Sequence, residues 1–138
     1  MKFVLDSRLS ADTHQIGDFP LSRALLMNDA RYPWVILAPR RSNLVEIIDL
    51  SAADRATLIE EIALACSAVR ALPEVEKVNV GALGNVVRQL HIHIVGRNAR
   101  DFTWPGPIWG VGPARPYETG AREALLAVLR NKLDIGLK

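Results

Sequence analysis

Two histidines, His91 and His93, stand two apart in the run Gln89, Leu90, His91, Ile92, His93, Ile94, Val95. Alternation of polar and apolar residues marks a half-buried β-strand, with Gln89, His91 and His93 on one face and Leu90, Ile92 and Ile94 on the other. Side chains at i and i+2 lie roughly 6.5 Å apart along a strand, so one bound group could touch both rings. Imidazole changes protonation near neutral pH and serves as nucleophile, acid or base. One ring could attack a phosphorus atom while the other stabilises or protonates its oxygens. Paired histidines also suit zinc, but a structural zinc needs four ligands and a catalytic one three plus water. His14 and Cys66 are the further soft ligands in the chain, with a carboxylate as the remaining option. A role in packing or on the surface is the third alternative.

The neighbouring residues favour an anion. Gly81, Ala82, Leu83, Gly84 and Asn85 form a glycine-bearing turn before the histidine run. Such turns bring backbone amides close to a ligand, and the Asn85 side chain adds a donor. Arg88, Arg97 and Arg100 are near in sequence and are candidate oxyanion partners. Taken one at a time, each arginine reads first as a solvated surface charge.

Several elements must position these residues. Phe3 to Leu5 reads as a short strand followed by a polar stretch, Asp6 to Asp18. Ser22 to Met27 and Trp34 to Ala38 are two apolar runs around the turn composition Asn28, Asp29, Ala30, which predicts an antiparallel pair. Ser51 caps a helix with Asp54 among its first-turn amides, and Leu58, Ile62, Ala65, Val69 and Leu72 draw one apolar stripe up to Pro73. Val75 to Val80 reads as a strand, with Val78 and Val80 on one face and Asn79 on the other. Residues 101–118 are too rich in Gly and Pro for a helix or central strand. Thr119 then caps a last helix, to about 133, with Ala121, Ala124, Leu125, Val128 and Leu129 on its apolar face.

At 138 residues, with 49% hydrophobic and 23% charged residues, the chain has the size and composition of one globular domain. A net charge of +2 with scattered Lys and Arg argues against a non-specific nucleic-acid binder. No apolar run approaches the length of a membrane span and the N-terminus lacks a signal-peptide pattern, so the expected location is cytoplasmic. The single cysteine, Cys66, lies in the helical pattern and reads as a small buried hydrophobe.

The segment from Asn79 through Arg97 resembles the histidine triad (HIT) superfamily of nucleotide hydrolases and transferases. Its signature is three histidines alternating with hydrophobic residues and followed by a hydrophobic pair. Here the second and third are His91 and His93, and Gln89 stands at the first. The hairpin from Leu25 to Pro39, with Asn28 ending its first strand, resembles the family's ribose-binding hairpin, and the likeness extends over about residues 20–100.

The resemblance implies an α+β, HIT-like two-layer fold, a mainly antiparallel five-stranded sheet packed with two helices, and one domain over residues 1–138. It implies His91 as the nucleophile that forms a nucleotidyl-histidine at the α-phosphate, and His93 as a contact to phosphate or leaving-group oxygen. Asn28 would grip the ribose; Asn79, Gly84 and Asn85 would lie near the phosphate. Apart from the resemblance, Arg97 is an expected oxyanion contact, and the rigid aromatic loop Trp104 to Trp109 either borders a base or substrate pocket, with Trp104 as the contact, or packs around a short tail. The partner is a purine nucleotide or nucleotide conjugate, with no cofactor or metal required, and the assembly a homodimer. Gln89 keeps a donor and an acceptor but cannot titrate usefully. Nucleotide binding without turnover is therefore the alternative, and a zinc protein the lesser one.

Overall fold

In a computed structural model, residues 2–136 are described. They form α1 (Ser7–Asp12), β1 (Thr13–Asp18), β2 (Ser22–Met27), β3 (Trp34–Pro39), α2 (Ala52–Arg70), β4 (Lys77–Gly81), β5 (Ile92–Arg97) and α3 (Thr119–Leu133). A 3-10 turn, Ile47–Asp49, joins β3 to α2. The five strands make one sheet in the order β1-β2-β3-β5-β4, antiparallel at every step. This is an α+β fold of the expected two-layer kind.

The strand alternation sorts the two faces. Val35 and Leu37 of β3 and Ile92 and Ile94 of β5 turn toward α2 and α3, where they meet Leu58, Ala65, Val69, Leu126 and Leu129. Trp34, Ile36 and Val95 turn the other way, onto Leu9 of α1, Tyr32 and Ile108. The central strands β3 and β5 are buried along their whole length. Gly96 lets β5 lie close to its cover: a Cβ there would sit 2.8 Å from Val75 Cγ2 and 3.0 Å from Val69 Cγ1.

The Ser51 cap is present, its hydroxyl accepting from the Asp54 amide at 3.1 Å. On the same helix Glu61 is buried, because its carboxylate accepts from the Leu21 and Ser22 amides at 2.8 and 2.9 Å and so caps the entry to β2.

Three expectations are corrected. Phe3 to Leu5 forms no strand, and the polar stretch after it carries α1 and the edge strand β1 instead. The β1 pairing is broken by a bulge between Gln15 and Gly17, which buries Ile16 completely and hides the period of two. The buried face of α3 is Leu126, Leu129 and Leu133 rather than Ala121, Ala124 and Val128, with Leu125 only partly covered. Burying the larger side chains removes more apolar area from water, and that decides the helix rotation. Val80 is about half exposed because β4 is the outer strand. No helix among the described residues is long and apolar enough to cross a membrane.

Candidate active site

His91 and His93 lie at the start of β5 on the face away from α2 and α3, their ring centroids 4.8 Å apart in an edge-to-face arrangement. Each is only 6% exposed. Hydrogen bonds give the two rings opposite roles. His91 Nδ1 lies 2.7 Å from the Gln89 carbonyl oxygen. A carbonyl only accepts, so Nδ1 carries the hydrogen and the lone pair of neutral His91 is on Nε2. His93 Nδ1 receives the Trp34 indole N–H at 3.0 Å. An indole only donates, so Nδ1 of His93 is the acceptor and its proton is on Nε2. Burial, with the neighbouring His91 adding to it, pushes the His93 pKa down to about 4, which keeps that ring neutral near pH 7.

The two rings open onto a cleft of about 440 Å³. Its walls include Trp34, residues 83–87, Trp109, and Arg8 and Leu9 of α1. Gly84 has φ of 70°, in the left-handed region where other residues are strained, so glycine shapes the turn beside His91. The Asn85 side chain is exposed and makes no hydrogen bond among the described residues, leaving its amide open to the cleft. Asn28 lies in an adjoining hollow of about 400 Å³ that shares Met27, Trp34 and Trp109 with the cleft. The two hollows therefore adjoin along Met27, Trp34 and Trp109.

Residues 8–100 match the HIT domain family. The chain belongs to that family. It is 42% identical to a histidine triad protein from Bradyrhizobium japonicum, over 96% of this chain and 99% of that one, with a TM-score of 0.94. A HIT protein from Sinorhizobium meliloti is 41% identical, covering 94% and 96% of the two chains at a TM-score of 0.92. One from Marinobacter aquaeolei is 41% identical over 97% and 98%, with a TM-score of 0.94. No curated protein matched the chain.

In this HIT protein several expected contacts stand elsewhere. Arg97 is 1% exposed and fully engaged. It binds Asp101 through two hydrogen bonds of 2.7 and 3.0 Å, Asn79 Oδ1 at 2.8 Å, and the Gly106 carbonyl at 2.9 Å. Burial alone would raise the Asp101 carboxyl, but the Arg97 bonds and the Asn98 and Trp104 amides hold it below the usual carboxylate range. Arg97, Asn79 and Trp104, whose ring centroid lies 5.6 Å from the Arg97 guanidinium carbon, thus form a cluster that holds the 101–106 loop and do not line the cleft. Asn28 borders the adjoining hollow, although its Oδ1 already accepts the Tyr117 amide at 3.0 Å. Gln89 precedes β5, and its amide reaches the N-terminal segment: Oε1 accepts from the Asp6 amide and Nε2 donates to the Val4 carbonyl, both at 2.8 Å.

The structure adds Trp34 and Trp109, which sequence reasoning left out of the site. The Trp109 ring lies 5.5 Å from His93, and its indole N–H is buried without a hydrogen-bond partner among the described residues. The aromatic loop reaches the cleft through Trp109 and not through Trp104, two residues that spacing could not tell apart. Among the described residues no three His, Cys, Asp or Glu side chains converge to hold a metal ion. Cys66 is partly buried, and burial pushes its thiol pKa up.

Proposed function

We propose that this HIT protein is a nucleotide hydrolase or nucleotidyl transferase. It acts at the α-phosphate of a nucleoside phosphoramidate, a nucleoside phosphate ester or a dinucleoside polyphosphate, through a covalent nucleotidyl-His91 intermediate. The observation that supports this most is the opposed tautomers: a lone pair on His91 Nε2 beside an N–H on His93 Nε2.

The His91 Nε2 lone pair forms the new P–N bond while the bond from phosphorus to the leaving oxygen or nitrogen breaks. The leaving group takes that electron pair and a proton from water. His93, held neutral, donates its Nε2–H to a phosphoryl oxygen as charge shifts onto it. Water, or an acceptor alcohol in transfer, then attacks the phosphorus and gives its proton to the hydroxide left by the first step, while the breaking P–N bond returns its pair to His91. Gly84 and Asn85 supply further donors, and Asn28 grips the ribose of a purine nucleoside.

In this reading Gln89 stands where the family has its first histidine, and the protein is a cytoplasmic homodimer. Nucleotide binding without turnover is the second reading. It is favoured by the Gln89 amide, which is engaged by Val4 and Asp6 and not by the histidines.

Intact-protein mass spectrometry after brief incubation with adenosine phosphoramidate and diadenosine polyphosphates separates the two. The first reading requires an AMP adduct, absent in His91→Ala, together with released AMP. Saturable AMP binding with neither adduct nor product would leave the second.

A further inference from the structure

Gln89 makes a contact that a histidine could not. The Val4 carbonyl and the Asp6 amide flank one residue of extended chain, and the Gln89 amide meets both, as a residue of a neighbouring strand would. An amide presents its donor and acceptor side by side, whereas imidazole carries its two nitrogens on separate flanks of the ring. The segment held in this way runs directly into α1, whose N-cap is Asp6. Leu9 of α1 is buried against the face of the sheet that bears the histidines. Arg8 and Asp12 border the same cleft as His91 and His93.

We propose that Gln89 is a positioning residue that latches residues 4–12 as a wall of the active-site cleft, so that Arg8 meets the anionic part of the substrate beyond the α-phosphate. This rests on the nucleotide reading above and narrows it to substrates with charge past that phosphorus, such as a nucleoside diphosphate or a polyphosphate chain. Arg8 is free to take this role. Its side chain is 65% exposed, and its partner Asp12 lies 3.7 Å away in an equally open ion pair. Such pairs contribute roughly 0–1 kcal/mol, so an incoming phosphate displaces Asp12 at little cost. A guanidinium also matches phosphate oxygens two at a time.

Titration calorimetry with AMP and with the α,β-methylene analogue of ADP, which resists cleavage at the α-phosphate, tests the role of Arg8. Arg8→Ala should weaken the diphosphate analogue by about tenfold or more and AMP by no more than about threefold. Gln89→His and Gln89→Met, neither of which offers an oxygen acceptor beside an N–H donor, should each speed amide hydrogen exchange at Asp6 by about tenfold. Each should also shrink the Arg8→Ala effect when the substitutions are combined. Unchanged exchange at Asp6 in both Gln89 variants overturns the latch, and this readout needs no nucleotide. An unchanged preference between diphosphate and monophosphate in Arg8→Ala, with AMP still bound, overturns the role of Arg8 alone. Failure of the unaltered protein to bind either nucleotide overturns the nucleotide reading itself, and with it the role given to Arg8.

Discussion

At the scale of the residue, the chemistry turns on which nitrogen of each imidazole carries a proton. Trp34 decides this for His93, and the Gln89 carbonyl decides it for His91. The neutral state of His93 has a consequence for stability. Folding lowers its pKa from 6.5 to about 4, so between those values the unfolded chain binds a proton that the folded chain refuses. Stability therefore falls as pH drops through this window, by up to about 3 kcal/mol, and this contribution is flat on either side. Urea unfolding at pH 7 and about pH 4.5 measures it, and His93→Asn should reduce the difference between the two. An undiminished difference would contradict a buried neutral imidazole. Asp29 and Asp101 do not confuse the result. In both, burial opposes but paired arginines and amide hydrogen bonds hold the carboxyl low, so their contributions are lost below the ordinary carboxylate range.

At the scale of the element, the strands that carry the site were legible because two are apolar runs around a turn and the third alternates cleanly. β2, β3 and the histidine strand follow from their apolar runs, and α2 from its cap and its stripe. The N-terminal strand reading of Phe3 to Leu5 was overturned because the backbone there, at Val4 and at the adjoining Asp6, bonds to a side-chain amide from far along the chain, which no local pattern reveals. Glu61 was equally invisible. It occurs in a helix with many charged residues, and only the approach of the Leu21 to Ser22 backbone makes its carboxylate necessary. Glu61→Ala would leave two buried amides without an acceptor and should cost roughly 3 kcal/mol in chemical unfolding. Glu61→Gln, which retains one acceptor oxygen, should cost less. Equal stabilities of all three proteins would rule out the capping role.

At the scale of the whole molecule, Arg97 connects parts that the sequence separates. It joins β5 to β4 through Asn79, and to the 101–106 loop through Asp101 and Gly106. The Tyr32 and Trp104 rings lie within 6 Å of its guanidinium, at 5.7 and 5.6 Å. Removing one partner of a buried charged pair typically costs 3–5 kcal/mol, so Arg97→Ala should unfold at a much lower temperature. Hydrogen exchange should also show early loss of protection in residues 101–109. Arg97→Lys should not restore either property, because one ammonium cannot replace a planar fork that serves five acceptor atoms on Asp101, Asn79, Thr103 and Gly106. Restoration by lysine would mean that the charge alone matters.

The sequence by itself determined the family, the α+β class, the histidine strand and the caps of its longest helix. These depend on periodicity, on local capping and on a motif within one strand, all properties of residues close together in the chain. The tertiary structure decided which of the nearby polar residues serve the cleft. It turned Arg97, Asn79 and Trp104 to holding a loop and brought Trp34 and Trp109 against His93. It also joined Gln89 to the N-terminal segment. Those choices depend on which backbone groups and charges must be satisfied once distant segments exclude water between them, a condition that arises only when the chain has closed on itself.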